Sequence, residues 1–132
     1  MKITNSPAGW HNILHLTTGE SCCDSGTRIP GVWINSRNGK PYLFAYIKIT
    51  HPTELTQEFT LEMNKQYHVE LVLQDNGFFS VTINGVEVWR VNSGAATFQN
   101  VKYYWSDPWS PSAGEAAILS KPNIRTQGSG KF

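Results

Sequence analysis

Charge is what this 132-residue sequence most lacks. Charged residues make up 16% of it, against roughly 25% in an average globular domain. Eleven Lys and Arg against ten Asp and Glu leave a net charge of +1. The basic residues form no block, which argues against electrostatic capture of nucleic acid. Long apolar runs are missing as well: no stretch approaches the roughly 20 residues of a membrane span, so no membrane insertion is expected. Met1-Lys2 is not followed by an apolar stretch, and no signal peptide is read there; an excised mature domain and an intracellular protein both fit that start. Cysteine is nearly absent. Cys22 and Cys23 are the only two, and being adjacent they cannot staple distant parts of one chain. A domain of this length buries roughly two thirds of its unfolded surface and folds without a staple. One domain over residues 1–126 is expected, with 127–132 (Gln-Gly-Ser-Gly-Lys-Phe) a flexible tail.

Signatures of catalysis are also scarce. There is no Gly-x-Ser-x-Gly elbow and no phosphate loop. "HNILH" spaces His11 and His15 as a zinc-binding helix would, but Gly9 before and Thr17-Thr18-Gly19 after disfavour a helix. On a strand the two lie about 13 Å apart, at about 3.3 Å per residue, too far to share an ion. A single histidine, His11, facing a surface groove is the better reading. Glu58 and Glu62 share a strand face and read as solvated; no pair of carboxylates poised for glycoside cleavage is visible. Cys22 or Cys23 as a nucleophile is disfavoured by Glu20 and Asp24, which oppose the thiolate such chemistry needs. The sequence is therefore read as a binding protein and not an enzyme.

What the sequence has is aromatic residues, 12% of the chain, and period-2 patterning. In "YHVELVLQ", Tyr67, Val69, Leu71 and Leu73 alternate with more polar neighbours, as in a half-buried strand. "FFSVTI" follows, then Asn84-Gly85, the preferred pair for a two-residue hairpin turn, then "VEVWRV", with Val86 and Val88 on one face and Glu87, Trp89 and Val91 on the other. Residues 67–91 predict a three-stranded meander. Further strands are expected near 10–18, 29–35, 42–50, 57–63, 97–105 and 115–125, punctuated by Pro30-Gly31, Asn38-Gly39, His51-Pro52 and Asp107-Pro108. Many short strands with regular turns predict an all-β, antiparallel two-sheet sandwich. Trp10, Trp33 and Trp89 fall within strand patterns and read as core or half-buried face.

"YYWSDPWSP" is the most informative segment for function. Val101, Tyr103 and Trp105 alternate with Lys102 and Tyr104. Ser106-Asp107-Pro108 then turns, with the Asp107 side chain able to bond the backbone ahead of it. Trp109 lies between two prolines. A ring on a stiff loop can pack on the C–H face of a sugar; equally, it can fold back as a plug over the end of the sandwich. Both readings stand at this point. In "DSGTRIPGVW", Asp24 and Arg28 sit in a loop ahead of a strand. Glu20 and Asp24 are candidate calcium ligands there.

"EFTLEMNKQYHVELVLQDNGFFSVTINGVEVWRV" (Glu58 to Val91), "WHNILHLTTGESCCDSGTRIPGVWI" and "VKYYWSDPW" together resemble the concanavalin A-like superfamily, especially its laminin-G-like and galectin-like members. The second segment is similar to a pattern in multidomain animal surface proteins. The resemblance implies a jelly-roll sandwich and an extracellular or cell-surface setting. The galectin His-x-Asn-x-Arg and Trp-x-x-Glu-x-Arg strands are not matched: His11-Asn12 lacks the arginine and Trp89-Arg90 the glutamate spacing. The expected function is a lectin-like module for a glycan or glycoprotein, with Trp109 and Trp105 stacking and Asp107, Arg28 and Asp24 bonding hydroxyls. The alternative is an adhesion or matrix module that self-associates through edge strands. Cys22 and Cys23 have three open fates: free thiols, a vicinal disulfide, or bridges to another chain.

Overall fold

The structure is a computed structural model, and it describes residues 1–6, 8–19, 28–48, 55–74, 76–94, 100–111, 114 and 117–118. Among the described residues ten strands run in chain order: β1 (Lys2–Ile3), β2 (His11–Thr17), β3 (Arg28–Arg37), β4 (Lys40–Lys48), β5 (Leu55–Thr60), β6 (Val69–Leu73), β7 (Phe78–Ile83), β8 (Val86–Asn92), β9 (Lys102–Trp105) and β10 (Ala117–Ile118). No α-helix occurs among the described residues. The strands form a five-stranded antiparallel sheet, β5-β4-β3-β2-β9, a three-stranded one, β6-β7-β8, and a short β1-β10 ribbon. The chain is thus all-β and sandwich-like, as its patterning predicts. Cys22, Cys23, Glu20, Asp24, the tail 127–132 and most of the strand expected at 115–125 lie outside the described residues.

The two main sheets close on each other through aliphatic faces. Val32, Ile34, Leu43 and Ile47 point inward from the large sheet and are almost fully buried. Phe79 and Val81 of β7 meet Ile47, with Ala45, Ile29 and Leu16, in one half of the core, and Val32, Ile34 and Leu43 pack with Tyr67, Leu61 and Ile3 in the other. Each such side chain contributes about 1.5–3 kcal/mol by leaving water. The first residues are tied in by backbone bonds. Met1 exchanges bonds with Tyr67, its amino group donating to the Tyr67 carbonyl at 2.9 Å. Asn64 N–H donates to the Ile3 carbonyl at 2.7 Å.

Two Asn-Gly pairs make the tight hairpins. Asn38 and Gly39 turn β3 into β4, and Asn84 and Gly85 turn β7 into β8, all four with positive φ between 51° and 81°. That conformation is what a turn matching the strand twist requires, and Asn and Gly adopt it most readily. The strict alternation expected for β8 does not hold. Trp89 pairs with Val81, but Glu87 pairs with Thr82, leaving Val88 as an extra residue. This bulge turns Trp89 inward, edge-on to Phe79 with centroids 5.6 Å apart, while Glu87 stays on the face of Thr82 and does not share the face of Trp89 and Val91.

Candidate functional site: an aromatic pocket on the outer face of the large sheet

The large sheet is apolar on both faces. In β4, Leu43, Ala45 and Ile47 point to the core, so Tyr42, Phe44 and Tyr46 project from the opposite, outer face. Register carries this outer face across the sheet: Trp33 stands opposite Phe44, and Gly31 opposite Tyr46. On the other side of β3, Asn12 pairs with Trp33 and His15 with Gly31, the bulge between Asn12 and Leu14 keeping both on that face. Tyr104 of β9 follows, opposite His15. The result is a row of rings running from Tyr104 through His15 and Trp33 to the three aromatics of β4.

Gly31 explains how so large a ring lies flat. The Trp33 indole covers the Gly31 backbone, and a Cβ at 31 would sit 2.5 Å from Cη2 and closer still to Cζ3. His15 and Tyr46 flank the indole edge-on, with centroids 5.1 and 5.2 Å away. Its Nε1–H donates to Ser110 Oγ at 3.2 Å. The Arg28 guanidinium lies over both Trp33, at 5.4 Å, and Tyr46, at 4.8 Å, within cation–π range. Farther along the same face Arg37 lies over Tyr42, 4.7 Å away, and forms an ion pair with Glu58.

A loop after β9 walls the row. Ser106 N–H donates to the Ile13 carbonyl at 3.0 Å, and Asn12 N–H to the Pro111 carbonyl at 2.9 Å, so the loop is sewn to β2 at both ends. Between those stitches Asp107 is buried. Its N–H donates to Asn12 Oδ1 at 2.8 Å, its Oδ1 accepts from Trp109 N–H at 3.1 Å, and its Oδ2 lies 2.7 Å from His15 Nδ1. A carboxylate only accepts, so His15 carries its proton on Nδ1. Both side chains of the pair are fully shielded. A buried carboxylate is stable only when it is bonded in this way, and here the bonds fix the loop and turn Trp109 over the sheet, edge-on to His15 and Tyr104 at 5.6 and 5.4 Å. Asn12 serves the bulge, its Nδ2 donating to the Leu14 and Val32 carbonyls, each at 3.3 Å.

Trp10, just before β2, leans on Phe44 with centroids 4.5 Å apart and closes the opposite wall. Between the walls is an open pocket of about 290 Å³. Its rings are Trp10, Trp33, Tyr46 and Trp109; Arg28, Ser110 and Pro111 complete it. Trp10 is 43% exposed and Trp109 37%, so two large rings present surface to solvent at the rim.

The residues expected to form a site are thus divided. Trp109 and Arg28 meet in one pocket, and Trp109 is a wall of that pocket. Asp107 is only 3% exposed, and both its oxygens are engaged beneath the loop; it positions Trp109. Trp105 pairs with Leu14, whose side chain packs on the core, so it stands on the sheet face opposite Tyr104 and the pocket. His11 is buried, pairs with Ile34 and has Nδ1 3.0 Å from the Gly9 carbonyl. Asp24 lies outside the described residues, as do Glu20 and the cysteine pair. Among the described residues no group of three or more metal-ligating side chains is found. Trp10 and Trp33, read from the strand patterns as core or half-buried face, line the pocket, and Tyr46 is a lining residue that those patterns do not single out. No family model matches the sequence, and no curated protein or solved structure shows significant similarity to it.

Proposed function

We propose that this chain is a non-catalytic, lectin-like module that binds carbohydrate in the aromatic pocket of the outer sheet face. The observation that carries the reading is the pair of solvent-facing tryptophans, Trp10 and Trp109, standing over a floor of Trp33 and Tyr46. Sugars have an apolar C–H face and a rim of hydroxyls. Flat rings match the first, and a few fixed polar groups match the second. The volume is near the lower end of small-molecule sites, about 300–1,000 Å³, which suits one sugar ring with the remaining chain passing across the sheet. The Trp109 wall is held by Asp107, His15 and Asn12, so little ordering of it accompanies binding. The jelly-roll, concanavalin A-like assignment and an extracellular or cell-surface setting belong to the same proposal; the two packed antiparallel sheets are compatible with the first.

A glycan array run at millimolar calcium and again in EDTA tests the reading. Binding above background is expected, lost at least tenfold in Trp109→Ala, which corresponds to about 1.4 kcal/mol. The folded fraction of that variant should be unchanged, because its ring lies at the rim. An array silent at high protein concentration sinks the proposal. The adhesion alternative has one observation behind it: edge strand β8 exposes Val86 by 63% and Val88 by 41%, a surface able to take another strand. A strict monomer in analytical ultracentrifugation counts against self-association there.

A further inference from the structure

We infer that the ligand is a linear glycan of several units, one in the pocket and the next ones along β4 and β5, where Tyr42, Arg37, Glu58 and Thr60 form a further subsite. This rests on the carbohydrate reading above and adds the ligand's length and direction. Leu55 and Phe59 of β5 pack toward the core, so Thr56, Glu58 and Thr60 share the outer face with the rings of β4. Register sets the two rows side by side: Thr56 opposite Tyr46, Glu58 opposite Phe44 and Thr60 opposite Tyr42. All three β5 residues are exposed. The outer face thus has two parallel rails that start at the pocket, one of rings and one of hydroxyl and carboxylate groups. Ring centroids along β4 are 6.4 Å apart at each step, and the four residues from Tyr46 to Tyr42 cover about 13 Å, at about 3.3 Å per residue.

Each rung of the rails offers a contact. At the middle one Phe44 is nearly buried, but Trp10 lies against it and presents its own ring to solvent. At the far one Arg37 lies over Tyr42 and Phe44, 4.7 and 5.7 Å from their centroids, and is ion-paired with Glu58. These two side chains are 54% and 45% exposed, and a pair so placed adds little to stability. Its effect is to hold a donor and an acceptor flat against the rings. A carboxylate bonded to one guanidinium keeps lone pairs for a second donor, and a guanidinium has five N–H groups, so both still serve a ligand's hydroxyls. A linear glycan repeats one combination in every unit, an apolar C–H face beside a rim of hydroxyls. Rails of rings and polar groups in step match that repeat, whereas a lone sugar in the pocket leaves them unused.

An array printed with glucose, xylose, mannose, galactose and N-acetylglucosamine, each as the single sugar and as its linear oligomers up to the hexamer, tests this. In at least one series the apparent affinity is expected to rise tenfold or more from the single sugar to the tetramer and then to level off. The double variant Glu58→Ala/Thr60→Ala, changed only at exposed positions, should fold as the parent does by circular dichroism. It should bring the tetramer to within threefold of the single sugar while leaving single-sugar binding unchanged. Trp109→Ala, by contrast, should weaken every length alike. Affinity independent of length in every series that binds, or a rise that the double variant leaves intact, overturns this inference and leaves the carbohydrate reading standing. An array silent at every length overturns both.

Discussion

Substituting Gly31 by alanine sets two physical effects against each other, and the structure decides the sign. Gly31 is not among the glycines with positive φ, so alanine fits the backbone there. On backbone entropy alone, Gly→Ala at such a site stabilises by about 0.4–1 kcal/mol, because the unfolded chain has less freedom to lose. The added Cβ, however, would lie 2.5 Å or less from two ring carbons of Trp33 and 3.5 Å from a third, where contacts of 3.4–4 Å are ordinary. The indole must retreat by about 1 Å, and it has nowhere free to go, with His15 and Tyr46 on its edges and Arg28 above. Overpacking of this kind costs about 1–3 kcal/mol. Its hydrogen bond to Ser110 is lost or stretched, at about 0.5–1.5 kcal/mol. The net expectation is a loss of about 2 kcal/mol, or about 8 °C in Tm at about 4 °C per kcal/mol for a domain of this size. Urea titration with near-UV circular dichroism measures both the stability and the displaced indole. A second substitution isolates the cause: in a Trp33→Leu background, Gly31→Ala should cost less than about 0.5 kcal/mol. A Gly31→Ala protein as stable as the parent, or more stable, would falsify this account of the Trp33 floor.

Asp107→Ala deletes the acceptor for His15 Nδ1 and for Trp109 N–H within a fully shielded pair. It should destabilise by about 3 kcal/mol in urea titration, with Asp107→Asn retaining part of that. In the β7–β8 turn, Asn84 holds φ of 51° and accepts from His68 N–H at 2.8 Å. Asn84→Ala should therefore lose about 1–2 kcal/mol, while Asn84→Gly loses less, by the same measurement.

The strand pattern is legible in the sequence because period-2 alternation and Asn-Gly turns are local properties. Val69, Leu71, Phe79 and Val81 announce their faces within a few residues. The β8 bulge is not legible: a single extra residue at Val88 reverses every later side chain, and nothing in "VEVWRV" marks where the register slips. The pocket was half visible. Trp109 stands out by its prolines, and Arg28 by its place ahead of a strand. The rest depends on pairings far apart in sequence. Asp107 looks like a ligand-binding acid until His15, 92 residues away, is found beside it. One local signal did exist, in that β4 is apolar at consecutive positions, with Tyr42, Phe44 and Tyr46 interleaved with Leu43, Ala45 and Ile47. A strand with one side packed on a core has no need of rings on the other unless something covers or uses them.

The loop that carries Trp109 keeps its anchorage apart from its tip. The bonds that hold its frame are made by the main chain of Ser106, Asp107, Trp109 and Pro111 and by the side chains of Asp107, Asn12 and His15, with one more from Trp33 Nε1–H to the Ser110 hydroxyl oxygen. The side chains of Pro108 and Trp109 make none of those hydrogen bonds. Two consecutive positions can thus be rewritten while their frame stays where β2 holds it. A library randomised at 108 and 109 would change what the protein recognises without first having to rebuild the ground on which recognition stands.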